Sequence, residues 1–263
     1  HYGKDGCNRH VLIDECRELF GEIYEQIPEL PFCNIWTAMQ LSSRLPKGAL
    51  FHMGVSNTRR CWNMFQLPES VESACNVGCC GIDGCVSTLV GASLVNPDRL
   101  CYVVVGDLTF FYDLNSLGNH HIGTNLRVML VNNGRGTEFR LGIHHCNVFG
   151  DDADKYMAAA GHFGNKSPLL VKHYAEDLGF HYLSATTKEE FMTALSNFTN
   201  PQLSDHSMIL EVFTDSKDES EALYLMSHIQ SDAKGMVRSK LKDAVRNVAG
   251  EKGINAIKKI LKK

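Results

Sequence analysis

The amino-acid sequence predicts an α/β domain in which helices cover both faces of a parallel β-sheet. Short apolar runs of strand length alternate with longer segments in which apolar residues recur at helical spacing. Such alternation implies crossover connections, and therefore parallel pairing of the strands. The runs at 101–105 and 128–131 are apolar throughout, which is typical of central strands buried on both faces. The four predicted strands are residues 49–53, 100–105, 126–131 and 208–213.

The helices are predicted from this spacing and from the residues that begin and end them. Pro46 and Gly48 end the first helix of the domain, and Thr187 with Glu190 forms a capping box at the start of the last. The predicted helices are residues 35–45, 56–66, 84–95, 109–118, 152–161, 168–178 and 188–198.

Both termini are predicted to lie outside the sheet domain, which we assign to residues 31–230. Apolar residues at helical spacing over 11–27 precede two prolines, so residues 1–30 are expected to form a leader helix and a linker. Residues 231–263 are expected to form a basic helical tail, since ten Lys and Arg stand against two acidic residues from Lys234 onward. The favoured interpretation of this tail is a solvated helix packed on its own domain. Contact of the tail with a membrane surface or an acidic partner is the alternative.

Composition excludes several classes of protein. The net charge of −4 favours neither nucleic acid nor a membrane as partner, and no apolar run approaches the ~20 residues that span a bilayer. The ten cysteines include the adjacent pair Cys79 and Cys80, and no secretory signal is visible, so reduced thiols and a cytoplasmic location are expected. Because the chain begins at His1 rather than Met, a natural protein that starts upstream is an open alternative.

Polar residues follow the two central strands where each ends. Gly106 and Asp107 come directly after one apolar run, and Asn132-Asn133-Gly134 follows the next, about 25 residues later. In a parallel sheet these strand ends share one edge, where ligands bind, so a carboxylate and a carboxamide oxygen should lie side by side. Oxygen ligands of this kind suit Mg²⁺ or Ca²⁺.

A helix beginning near Thr109 would add free N–H groups and the positive end of its dipole, which favour a diphosphate. Gly106 would let a phosphate approach the backbone. The sequence therefore predicts a clamp for a diphosphate and a metal ion. The simpler alternative is that Gly-Asp ends one strand and Asn-Asn-Gly forms an ordinary turn after the other.

A second glycine-rich motif, Gly81-Ile82-Asp83-Gly84, precedes the helix predicted at 84–95. It is not a dinucleotide fingerprint, because Cys80 stands where Gly-x-Gly-x-x-Gly needs a glycine. Together with Gly106-Asp107-Leu108 and the Asn-Asn pair, it resembles the enzymes that use thiamine diphosphate (ThDP). Within that superfamily the chain is most similar to the 2-succinyl-5-enolpyruvyl-6-hydroxy-3-cyclohexene-1-carboxylate synthases.

The resemblance covers about residues 31–230 and matches the family's C-terminal pyrophosphate-binding domain, which has the ThDP-binding fold. It implies that Asp107, Asn133 and the backbone carbonyl of Arg135 bind Mg²⁺. It implies substrate contacts for Arg60 and Glu138, and a bulky apolar residue, Ile82, beneath the cofactor. The residues implied to bind the cofactor are Ser56, Gly81, Ile82, Asp83, Gly106, Asp107, Leu108, Thr109, Asn133 and Phe139.

Three positions depart from the family pattern. Val77 replaces an arginine that binds a substrate carboxylate, Glu138 replaces an apolar residue, and Arg135 replaces a glycine. A lost arginine and a gained carboxylate both work against a doubly anionic acceptor.

The resemblance implies ThDP- and Mg²⁺-dependent decarboxylation of a 2-oxo acid, with carboligation to a second acceptor. It implies that the activating glutamate lies on a pyrimidine-binding domain of a longer chain or of a partner subunit, and that the enzyme is a homo-oligomer, a dimer or a tetramer. The catalytic residues of this chain itself stay unassigned. Two alternatives are a simple 2-oxo-acid decarboxylase and a non-catalytic module that serves assembly or regulation.

Overall fold

The computed structural model describes the backbone of residues 7–78 and 80–229, and the side chains of residues 12–78 and 80–229. The basic tail predicted at 231–263 lies outside the described residues. The described chain divides into two units, of which residues 31–222 form one and the remaining described residues the other. The second unit contains the helix α1 (Cys7–Glu25), in the region where the sequence predicted a leader helix.

The larger unit is built on a six-stranded sheet in which every pair of neighbouring strands is parallel. The strand order is β2-β1-β3-β4-β6-β5. This confirms the predicted fold class. The strands are β1 (Leu50–Met53), β2 (Glu72–Cys75), β3 (Cys101–Gly106), β4 (Leu126–Asn132), β5 (His181–Ala185) and β6 (Met208–Phe213).

Two strands were not predicted from the sequence, and both are edge strands. In β2 three of the four residues are exposed, and in β5 only Ala185 is buried. An edge strand with little buried surface needs no continuous apolar run, so the signal that identified β3 and β4 is absent from it. Every residue of β4 is buried, as are five of the six in β3.

Helices cover both faces of this sheet. The described helices that follow α1 are α2 (Asn34–Ser42), α3 (Asn57–Trp62), α4 (Cys85–Leu94), α5 (Asp107–Asp113), α6 (Asp151–Tyr156), α7 (Phe163–Lys166), α8 (Leu170–Asp177), α9 (Lys188–Phe198) and α10 (Ser216–Ser227). Short 3₁₀ helices cover Leu114–Gly118, Thr137–Arg140 and His145–Phe149.

Each face of the sheet has its own buried contacts. On one face, residues of α4 and α8 pack against β3, β4 and β6 in a single buried cluster that includes Phe110 and Phe180. On the other face, aromatic rings of helices and strands lie against each other. Trp62 of α3 lies 5.2 Å from Phe51, and Phe198 of α9 lies 5.5 Å from Tyr102, measured between ring centroids.

Several helices differ in detail from the prediction. The helices expected over 35–45 and 56–66 end early, at Ser42 and Trp62. The helix expected from Thr109 begins two residues earlier, at Asp107, and continues past Asp113 as a 3₁₀ helix. The helix expected over 152–161 ends at Tyr156. At α9, Thr187 accepts the N–H of Glu190 as predicted, and the Glu190 carboxylate also accepts the N–H of Thr186 at 2.7 Å.

No helix in the described part of the chain is both long enough and apolar enough to cross a membrane.

The strand order creates a point at which the chain leaves neighbouring strands in opposite directions. β1 and β3 are neighbours, yet the chain runs from β1 to β2 on one side and from β3 to β4 on the other. The loops that follow these two strands therefore diverge at the carboxyl edge and leave a crevice between them. Ligands bind in such crevices in open parallel sheets.

Candidate functional site

A cavity of about 280 Å³ occupies this crevice. The loops after β1, β3 and β4 supply most of its wall, and Asn34, Cys80, Ile82 and Val131 complete it. The wall residues from the three loops are Val55, Ser56, Asn57, Thr58, Gly106, Asp107, Leu108, Thr109, Asn133, Arg135, Gly136, Thr137, Glu138 and Phe139. The structure thus brings together most of the residues that the sequence marked as functional.

Asp107 is the most constrained polar side chain in the wall. It is the first residue of α5 and only 2% exposed. Its Oδ1 accepts the N–H of Leu108 at 2.8 Å, and its Oδ2 accepts the N–H of Gly134 at 2.8 Å. His162 Nε2 lies 2.9 Å from the same Oδ2. Because each carboxylate oxygen accepts two bonds, Oδ1 keeps one lone pair for a further partner.

The partners of the His162 ring define its tautomer. Its Nδ1 accepts the N–H of Asn165 at 3.2 Å, so Nδ1 carries no proton, and Nε2 donates to Asp107. The ring also packs against Phe111, with 5.4 Å between ring centroids. His162 therefore fixes the orientation of the Asp107 carboxylate from the side away from Leu108.

Asn133 lies on the loop after β4 and lines the same cavity as Asp107. Its Oδ1 is buried and accepts no hydrogen bond from the described residues, although a buried oxygen without a partner costs about 1–3 kcal/mol. The backbone of this loop is constrained, so it leaves Asn133 little freedom to move its Oδ1 toward a hydrogen-bond partner. Gly134 has a φ of +80°, and a Cβ there would lie 2.7 Å from the Asn165 side chain, so only glycine fits. The backbone N–H of Gly136 donates to Ala158 at 2.6 Å.

These oxygens fit a divalent cation. Asp107 Oδ1 and Asn133 Oδ1 each have a free lone pair, and the Arg135 carbonyl keeps one besides the bond it accepts from Thr137 at 2.9 Å. Within the described residues no group of three or more His, Cys, Asp or Glu side chains could hold a metal. Mg²⁺ needs no such cage, since it usually binds one or two carboxylates together with phosphate oxygens and water.

The wall also has room for an anion next to the backbone. A Cβ added to Gly106 would meet no atom within 4 Å, so open space lies directly against the chain there. Gly106 leads into α5, whose first-turn N–H groups point out of the helix. The one cationic side chain in the described wall, Arg135, is bound by both oxygens of Asp154 at 2.8 and 2.9 Å. A diphosphate here would therefore depend on a metal ion for neutralisation.

The positions predicted to meet substrate form an ion pair with each other. Arg60 of α3 donates to the two carboxylate oxygens of Glu138 at 2.6 and 3.0 Å. The hydrogen bonds to Glu138 raise the pKa of Arg60 above its ordinary value. Glu138 is part of the cavity wall, whereas Arg60 is not.

Two other predicted cofactor residues, Gly81 and Asp83, lie outside the wall, and Asp83 is exposed. Ile82, which lies between these two residues in the motif, does line the cavity. The motif therefore contributes its apolar member to the cavity surface.

Two buried carboxyl groups lie behind the cavity, and neither was singled out from the sequence. Glu219 accepts the N–H of Asn34, a wall residue, at 3.0 Å, and the hydroxyl of Thr214 at 2.7 Å. Burial raises the pKa of Glu219 from 4.5 to about 7. Glu211 accepts from Asn132 and from Tyr182, each at 2.8 Å, and burial raises its pKa too. Neither glutamate belongs to a motif, and of the four partners named only Thr214 is near in sequence.

The fold and the site together define the class of protein: a parallel α/β domain whose ligand site lies where the carboxyl ends of adjacent strands diverge. Comparison with curated proteins specifies the class further. The chain is 34% identical over 196 residues, 74% of its length, to the 2-succinyl-5-enolpyruvyl-6-hydroxy-3-cyclohexene-1-carboxylate synthase of Bacteroides fragilis. The synthases of the same name from Phocaeicola vulgatus and Christiangramia forsetii are 34% identical over 200 residues and 33% identical over 199 residues.

The chain is thus a homologue of part of these ThDP-dependent synthases, which confirms the resemblance predicted from its motifs. It spans about a third of the length of the curated relatives it matches, 34% in the first two and 33% in the third. The matches cover 75% of the chain for Phocaeicola vulgatus and 76% for Christiangramia forsetii. No protein-family model matches the chain.

Proposed function

We propose that this chain supplies the metal- and diphosphate-binding half of an enzyme that uses ThDP and Mg²⁺. The enzyme decarboxylates a 2-oxo acid and joins the product to a second acceptor. The observation that carries the proposal is the buried Asn133 Oδ1, an oxygen without a hydrogen-bond partner in the described chain that lines the same cavity as Asp107. A metal ion would satisfy this oxygen and use the free lone pair of Asp107.

The proposal assigns a task to nine of the described wall residues. Asp107, Asn133 and the Arg135 carbonyl hold Mg²⁺, and the backbone of Gly106, Leu108 and Thr109 meets the diphosphate. Ser56, Ile82 and Phe139 line the space next to it. When bound, ThDP supplies an electron sink that stabilises the carbanion left after loss of CO₂.

The other half of the site is proposed to come from a pyrimidine-binding domain that carries the activating glutamate. The length of the relatives supports this, since the chain matches a third of it. Exposed apolar side chains supply surface for such a domain and for a homo-oligomer, because Tyr156 and Phe163 are 81% and 80% exposed. The eight described free cysteines support a reducing compartment such as the cytoplasm.

Calorimetric titration of ThDP into the full-length protein tests the proposal. We expect binding with Mg²⁺ present, no binding in a chelator, and loss of binding in Asp107→Ala. Asp98→Ala, which removes an exposed carboxylate outside the cavity wall, is the matched control and should bind as wild type does. Binding that survives both the chelator and Asp107→Ala would contradict the proposal, and no binding at all would favour a non-catalytic module.

A simple 2-oxo-acid decarboxylase is the second candidate, and the Arg60–Glu138 pair favours it because Arg60 is already occupied by a carboxylate. Product analysis with and without an acceptor aldehyde or enone separates the two. A ligated product supports carboligation. The free aldehyde alone supports simple decarboxylation.

A further inference from the structure

The Arg60–Glu138 ion pair joins two of the loops that build the cavity. Arg60 lies on α3, which follows β1, and Glu138 lies on the 3₁₀ helix after β4. The side chains are 35% and 19% exposed, and both carboxylate oxygens are engaged. Bidentate ion pairs of this kind are stronger than single charged hydrogen bonds, and they fix the orientation of both side chains. The pair therefore joins the segment after β1 to the segment after β4, two strands that flank β3 in the sheet.

The pair leaves the wall without an available cation. Among the described wall residues the charged side chains are Asp107, Glu138 and Arg135, and Arg135 is held by Asp154. Arg60 is not part of the described wall, and its guanidinium is already bound by Glu138. On this segment the wall therefore presents the Glu138 carboxylate to an anionic group, and no free guanidinium.

We propose that Glu138 determines specificity by holding Arg60 and excluding a carboxylate from this end of the cavity, so that the part of the substrate or acceptor bound there is uncharged. This inference rests on the proposed function for its setting. It adds that the substrate class is a 2-oxo acid with no second carboxylate, or an acceptor that is neutral where it meets Glu138.

The physical reason is the cost of exchanging one carboxylate for another. A carboxylate of the ligand could reach Arg60 only by displacing Glu138, and the displaced charge would stay in a part-buried position beside it. Like charges in such a setting repel by an amount that grows as water is excluded. A neutral group avoids this repulsion.

The test measures binding of two small probes, succinate and its neutral diamide succinamide, to the full-length protein by ligand-observed NMR. In wild type we expect succinate to bind no more tightly than succinamide. Glu138→Gln keeps the shape of the side chain and removes its charge, and Glu138→Leu also removes the bond to Arg60. In both variants we expect succinate affinity to rise about tenfold or more, and to fall again with added salt.

Two further variants make the result specific. Adding Arg60→Gln to either Glu138 variant should abolish the gain, because the freed guanidinium is then gone. Glu72→Gln removes the carboxylate of another arginine pair, Arg99–Glu72, outside the cavity wall, and should leave both probe affinities unchanged.

Two results would overturn the inference: wild type that prefers succinate to succinamide, or Glu138 variants that gain no affinity for succinate. The first of these results is measured on wild type alone, so it can be obtained even if both Glu138 variants fail to fold. Titration of ThDP with Mg²⁺ into the same wild-type protein separates this question from the proposed function. If ThDP does not bind but the succinate pattern holds, the proposed function fails and charge selection by Glu138 stands.

Discussion

His162 offers a test of how the protein prepares Asp107 for a metal ion. The ring makes two contacts that can be separated by substitution: Nδ1 accepts the N–H of Asn165 at the start of α7, and Nε2 donates to Asp107 at 2.9 Å. Asparagine at position 162 keeps the first contact, since it is a preferred residue at a helix start, but its side chain is too short to keep the second. His162→Ala removes both.

The expected magnitude follows from the burial of the carboxylate. Asp107 is 2% exposed and accepts three hydrogen bonds, one of them from His162. A side chain that orients a metal ligand in this way typically contributes about 10- to 100-fold to metal affinity. We therefore expect His162→Asn to weaken Mg²⁺ binding by that factor. The free energy of unfolding should change less than in His162→Ala, which loses the helix-start contact as well.

The assay is the Mg²⁺ concentration that half-saturates ThDP binding, measured by calorimetry for wild type, His162→Asn and His162→Ala, beside urea unfolding of each protein. Glutamine at position 162 can present an amide N–H toward Asp107 and should recover part of the affinity. His206→Asn, at an exposed position outside the cavity wall, is the matched control. Mg²⁺ dependence in His162→Asn equal to that of wild type would refute the positioning role.

Two further predictions concern stability. Folded Glu219 holds its proton up to about pH 7, whereas the unfolded chain releases it near pH 4.5, so the free energy of unfolding should fall as the pH rises across this window. In urea unfolding, Glu219→Gln should flatten this dependence of the free energy of unfolding on pH. Glu221→Gln, at an exposed position, should leave the dependence unchanged. A slope unchanged by Glu219→Gln would be inconsistent with the raised pKa. Gly164→Ala would place a Cβ 1.9 Å from the Phe111 ring and should cost about 1–3 kcal/mol. Phe111→Leu in the same chain should restore part of that loss, and equal stability of Gly164→Ala and wild type would show that the ring moves freely.

The parts of the fold that the sequence predicted are those with strong local patterns. β3 and β4 were found because both are buried on two faces and so must be apolar throughout. β2 and β5 lie at the two edges, where polar and exposed residues are tolerated, so their residues carry no comparable pattern. The start of α5 was misplaced by two residues because Asp107 was read as the end of a strand, whereas it is the first residue of the helix.

The site shows the same division between local and distant information. Asp107 and Asn133 could be placed at the same edge of the sheet from sequence, because parallel strands bring their carboxyl ends to one edge and each residue directly follows such a strand. The sequence also marked Arg60 and Glu138 separately, through the family resemblance. It gave no indication that the two bind each other, and it did not single out His162.

The sequence by itself determined the alternation of strands and helices, the buried centre of the sheet and the residue types at its carboxyl edge. Each of these follows from hydrophobic periodicity or from the chemistry of a short turn. The tertiary structure decided which side chains meet: residues 78 apart in the Arg60–Glu138 pair, 55 apart for Asp107 and His162, and 185 apart for Asn34 and Glu219. Such contacts depend on the paths of several loops at once, and a buried charge acquires its pKa only when the surrounding chain excludes water.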